Sequence, residues 1–112
     1  MTRFSVGSVV LILFASPFAR ADSREISRER AARKACLAGD YAKGVSILSD
    51  LFLDTSDANY IYNAARYLEQ NGRFADSIFR FQEFLRVAAK LSDAVKEQTK
   101  KHIADCQDQL AK

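Results

Sequence analysis

Apolar residues recur three and four positions apart through most of the chain after residue 22, the spacing of one face of an α-helix. Tyr41, Val45, Leu48, Leu51 and Phe52 form one such stripe. Phe74, Ser77, Ile78, Phe81, Phe84, Leu85 and Ala88 form a second, the most strongly patterned segment of the sequence. Farther on, Val95, Ile103, Cys106 and Leu110 share one side of a segment whose Lys96, Lys100, Lys101, Asp105 and Asp108 fall elsewhere. From Ser23 onward nothing alternates as a half-buried strand would, and there is no Pro. Gly39-Asp40, Thr55-Ser56-Asp57, Asn71-Gly72 and the Ser92 after Leu91 supply helix stops and N-cap candidates. The pattern predicts an all-α fold of five helices, over about 24–38, 41–53, 58–70, 74–90 and 93–110, the last an amphipathic capping helix.

The opening residues break this pattern. Arg3 lies in a short n-region, an apolar stretch runs over 6–15, Pro17 follows, and Ala19 and Ala21 flank Arg20. This is the arrangement of a secretory signal peptide with an A-x-A cleavage site. The apolar stretch is about half the ~20 residues that span a bilayer. The expectation is therefore a leader over 1–21, a domain over 22–112 that starts at Asp22, and no stable membrane insertion after cleavage. No Cys follows the cleavage site to take a lipid. The expected location is periplasmic or extracellular, in a bacterium by the style of leader and repeat.

With 112 residues the chain has room for one small domain, which excludes a multidomain enzyme. Loss of Arg3 and Arg20 with the leader leaves 15 Lys and Arg against 14 Asp and Glu, so the formal charge falls from +3 to +1. The two signs are interspersed along the whole length, without the basic excess that phosphate binding requires, so nucleic acid is not an expected partner. Export would let a disulfide persist, but Cys36 and Cys106 stand near opposite ends of a chain whose helices stack in order. They read as two small, partly buried apolar residues, with a bridge between two chains as the alternative.

Gly39-Asp40-Tyr41-Ala42 and Gly72-Arg73-Phe74-Ala75 repeat one arrangement farther along the chain, each ending one helix and opening an apolar-striped one. A small-residue-rich helix precedes each, with Ala31, Ala32 and Ala35 in the first unit and Ala64 and Ala65 in the second. Here the chain resembles the tetratricopeptide repeat (TPR) family, whose units are helix hairpins of about 34 residues stacked into a superhelix. In the second unit, about 58–89, Ile61, Ala64, Ala65 and Leu68 fall on signature positions of that family's first helix, and Gly72, Phe74, Ile78, Phe81 and Phe84 continue the pattern. The first unit, about 25–56, departs from it: Arg28 holds the aromatic position and Gly44 replaces the small residue of the second helix. Neither unit ends in the usual proline, and the resemblance covers the two units but not the leader or the last helix. An unrelated four- or five-helix bundle obeys the same packing rules and is the alternative architecture. Two units are fewer than the usual three, so self-association or a partner would complete the burial.

The resemblance implies a concave surface lined by the first helix of each unit. The exposed side of the third predicted helix then offers Asn59, Tyr62, Asn63, Arg66, Glu69 and Gln70, with Glu29 and Arg33 as counterparts in the first unit. Tyr62 and Arg66 are the leading candidates, because Tyr and Arg are over-represented among interface anchors. The plain alternative is that Tyr62 packs on a neighbouring hairpin and Arg66 pairs with Glu69 or Glu29. The several Lys and Asn of the family's carboxylate clamps are missing, so recognition of a free C-terminus is not expected. Phe79 falls outside the main stripe of its helix.

Catalytic chemistry finds little support. His102 and Cys106 form an i, i+4 pair, but zinc needs three or four ligands and Asp105 points to another side. No third residue or oxyanion hole identifies a Cys-His nucleophile, and no phosphate loop or nucleophile elbow is present. Asp105 and Asp108, among lysines, read as a solvated helix face. The expectation is a non-enzyme without metal or cofactor: a protein-interaction and scaffolding module of the cell envelope that holds a polypeptide in the groove of the first helices. A self-associating helical subunit, paired through the 93–110 helix, is the alternative; a small metal or redox protein using His102 and Cys106 is the third.

Overall fold

The computed structural model describes residues 23–112, all but the ends and turns of which are helical; the predicted leader lies outside the described residues. Five helices follow in order: α1 (Ser23–Leu37), α2 (Tyr41–Thr55), α3 (Asn59–Gln70), α4 (Phe74–Val87) and α5 (Asp93–Ala111). Each packs against the next, and α1 also touches α3, so the helices form two successive hairpins closed by α5.

The turns have physical causes. Gly39 (φ 90°) and Gly72 (φ 75°) adopt the left-handed conformation that ends a helix without a Cβ clash. Both turns close alike: Asp40 N–H donates to the Ala35 carbonyl at 2.8 Å, and Arg73 N–H to the Leu68 carbonyl at 2.8 Å. Asp40 then caps α2 by accepting from Lys43 N–H at 3.3 Å. α2 runs to Thr55, beyond the predicted end at Leu53, because Thr55 Oγ1 donates back to the Leu51 carbonyl and left-handed Ser56 donates to the Phe52 carbonyl. α4 stops at Val87, short of the predicted residue 90, where Ala88 turns extended and Lys90 takes φ 57°. That break tucks half-buried Leu91 inward and lets Ser92 Oγ cap α5 by accepting from Val95 N–H at 3.2 Å.

The core repeats at the same offset as the glycine turns. Ala32 and Ala65, Leu48 and Phe81, and Leu51 and Phe84 are all buried, and so are Gly44 and Ser77. The first set gathers with Tyr60 and Ala64 beneath Val45, Ile47, Phe52 and Tyr67. In the second hairpin Ser77 Oγ donates to the Ala65 carbonyl at 2.7 Å, which brings α4 close to α3. In the first, Gly44 has no room for a side chain: a Cβ would collide with Cys36 Sγ and lie 2.8 Å from the Ala32 oxygen. Cys36 and Cys106 are both buried free thiols. Thr99 and Cys106 bury the inner side of α5 against the second hairpin. Among the described residues no helix is long and apolar enough to cross a membrane.

Candidate functional site

The α3 side chains singled out by spacing part into two groups, because α3 lies between α1 on one side and α5 on the other. Tyr62, Arg66 and Glu69 recur at i, i+4 and i+7 and face α5. The Tyr62 ring meets Phe81 (5.5 Å) and Phe84 (5.2 Å) edge-on, and His102 of α5 at 6.2 Å. His102 itself stacks on Phe81, with centroids 5.2 Å apart and planes 10° from parallel. Glu69 meets both neighbours: its Oε1 lies 3.2 Å from Arg66 Nε and 3.1 Å from His102 Nδ1. Neither Arg66 Nε nor Glu69 Oε1 meets hydrogen-bond geometry, so their attraction is that of charges in contact. Arg66 also approaches His102 Nε2 at 3.5 Å.

Cys106 completes this junction. Its Sγ donates to Ser77 Oγ at 3.7 Å. Burial pushes the thiol pKa up; the Ser77 hydrogen bond pulls it down, and Glu69 and Asp105 push it up further. A fully buried thiol held in its neutral form is a poor nucleophile and a poor metal ligand. Among the described residues no three His, Cys, Asp or Glu side chains are placed to hold a metal ion. The arrangement joins α3, α4 and α5.

The other face of α3 opens on α1. Asn63 and Tyr67, one turn apart, join Glu29 and Arg33 of α1 around a groove of about 250 Å³, floored by Leu48. At one end Asn71 Nδ2 donates to the Cys36 carbonyl (3.2 Å) and the Tyr67 carbonyl (2.7 Å), which sets the spacing of the two helices. Burial raises the Tyr67 hydroxyl pKa, Arg33 lowers it, and Cys36 and Glu29 raise it, which places the hydroxyl within the fields of both groove charges. The side chains of Glu29, Arg33, Asn63 and Tyr67 make no hydrogen bond or ion pair with the rest of the described chain. Arg33 differs here from Arg66, its counterpart in the next hairpin. Arg66 has Glu69 one turn later, whereas Arg33 has Cys36 there.

Asn59 belongs to neither group. Its N–H donates to Asp57 Oδ1 at 2.9 Å, and its side chain borders a cleft of about 350 Å³ lined also by Phe84, Val87, Ala88 and Leu91. Gln70 is exposed at the end of α3. Tyr67 was not among the residues singled out by spacing, although it stands four after Asn63 and so shares its face. A wider cleft of about 600 Å³ lies among Arg24, Glu25, Arg28, Leu51, Asp54 and Thr55. Its charges are answered from within: Arg28 pairs with Asp54 at 2.8 Å, and the Tyr60 hydroxyl donates to Glu25. No family model, curated protein or solved structure matches the chain.

Proposed function

We propose that this chain is an exported, non-enzymatic adaptor of the bacterial cell envelope, built as two TPR-like hairpins and a capping helix, which holds a segment of another polypeptide in the groove between α1 and α3. The observation that carries the reading is the contrast between the two faces of α3. Tyr62, Arg66 and Glu69 are engaged with α4 and α5, whereas Glu29, Arg33, Asn63 and Tyr67 converge on one groove with no side-chain hydrogen bond or ion pair to the rest of the described chain. A polypeptide supplies what that set lacks. The Asn63 amide can both donate to and accept from a peptide bond, Arg33 can grip a carboxylate, and Leu48 and the Tyr67 ring offer an apolar floor. Rigid helices on both sides mean that little ordering entropy is lost on binding.

The TPR-like reading of the scaffold rests on the recurrence, at one common offset, of buried positions and of the two glycine turns. Site-specific photo-crosslinking in the native envelope fraction tests the function. A crosslinker at Asn63 should yield adducts on one contiguous segment of one partner, and a crosslinker at exposed Asp108 of α5 should not. Arg33→Ala combined with Tyr67→Ala should abolish the Asn63 adducts while helicity is unchanged. Adducts scattered over many proteins, or equal yields from the two positions, would overturn the reading.

A further inference from the structure

The outward face of α1 carries a second, separate feature. Ile26, Arg30, Lys34 and Leu37 recur at steps of one helical turn and so form one stripe, opposite the side that buries Ala32, Ala35 and Cys36. Ile26 is 41% exposed and Leu37 70% exposed, large values for aliphatic side chains. Arg30 and Lys34 lie between them, exposed, with no ion pair or hydrogen bond to any described residue. Several cations elsewhere are answered: Lys100 by Glu97 at 3.5 Å, Lys101 by Asp105 at 3.1 Å, Arg80 by Glu83 at 2.9 Å. The carboxylates of α1 are turned from the stripe, Glu25 bonded to Tyr60 and Glu29 in the groove.

The spacing selects the kind of partner. A helix that docks in a protein groove needs a continuous apolar seam, whereas here two aliphatic ends lie roughly 16 Å apart with cations between them. A layer of anionic headgroups suits that order: the cations meet phosphates while the aliphatic ends dip to the acyl boundary. We propose that the outward face of α1 docks the domain peripherally on an anionic lipid surface. This inference is independent of the α1–α3 groove, since it uses neither Arg33 nor Asn63.

The test is co-sedimentation of the full chain with vesicles of mixed phosphatidylglycerol and phosphatidylcholine, and with phosphatidylcholine alone. Wild type and variants carry the same N-terminal residues, so the difference between them reports on α1. Arg30→Glu with Lys34→Glu should lower partitioning to the anionic vesicles by roughly tenfold or more, since each basic residue near such a surface contributes about fivefold. Salt of about 0.5 M should erase the difference between the wild type and that variant. Ile26→Ser with Leu37→Ser should weaken binding and leave its salt dependence, and circular dichroism should show unchanged helicity in all variants. Equal partitioning of the Arg30/Lys34 variant and the wild type would overturn the proposal. So would an equal difference between that variant and the wild type on neutral vesicles, an equal loss in the control Lys100→Glu with Lys101→Glu, or capture of the wild type by polyglutamate but not by vesicles.

Discussion

Gly44 and Ser77 stand at the same step of the two hairpins, early in the second helix and against the backbone of the first. At Ser77 the hydroxyl reaches the Ala65 carbonyl; at Gly44 the Cys36 sulfur fills the space a side chain would take. Gly44→Ala therefore sets two effects against each other. Helix propensity favours Ala by about 1 kcal/mol, while forcing a methyl into a packed site costs about 1–3 kcal/mol. With the Cys36 sulfur and the Ala32 oxygen both in the way, the steric cost wins, and urea unfolding should show a net loss of about 1 kcal/mol or more. Cys36→Ala in the same chain should recover part of that loss, because the sulfur is the nearer obstacle, and the pair should be non-additive. A Gly44→Ala protein more stable than the wild type would contradict the packing described.

At the scale of elements, α5 begins where α4 breaks off, and Ser92 is the residue that makes a clean start possible. Ser92→Ala removes the acceptor for Val95 N–H and should cost about 1 kcal/mol. Amide exchange should rise first in the opening turn of α5 while the stretch around buried Thr99 and Cys106 stays protected. The helix starts at Tyr41, Phe74 and Asp93 were legible because glycine turns and a serine cap are local signals. The end of α4 was not, since Ala88, Ala89 and Lys90 are good helix formers. The turn there answers the need to seat Leu91 and α5, a tertiary demand that propensity does not contain. The candidate site divides in the same way. Periodicity identified the exposed-looking side of α3, yet whether Tyr62 and Arg66 meet solvent depends on where α5 lies, and no spacing within α3 encodes that. Arg33 of α1 and Asn63 of α3 border one groove because those two helices touch, a contact between elements that no spacing within either helix encodes.

Across the described residues, the four groups whose ionisation is displaced all move in one direction, and all sit where helices meet. Burial raises the Cys36 and Cys106 thiols above their ordinary 9.0, with Asp40 adding to the effect on Cys36. Burial likewise raises the Tyr60 and Tyr67 hydroxyls above 10.0, and Tyr60 is raised further by its hydrogen bond to Glu25. In each case the folded state holds its proton to higher pH than the unfolded chain does. Below the unfolded values both states are protonated and the stability is fully present. Once the pH passes about 9 the unfolded chain binds fewer protons than the native one, so the slope of stability against pH is negative. The fall should begin with the thiols and steepen as the tyrosines of the unfolded chain ionise near 10.0. Urea midpoints measured from about pH 7 to about pH 11 should decline only in the upper part of that range. Tyr60→Phe should flatten the arm above about pH 10, because its side chain has no proton to lose. A midpoint that held level or rose to about pH 11 would mean that these groups are not shielded where the helices meet, and with them would go the close packing of α1 on α3.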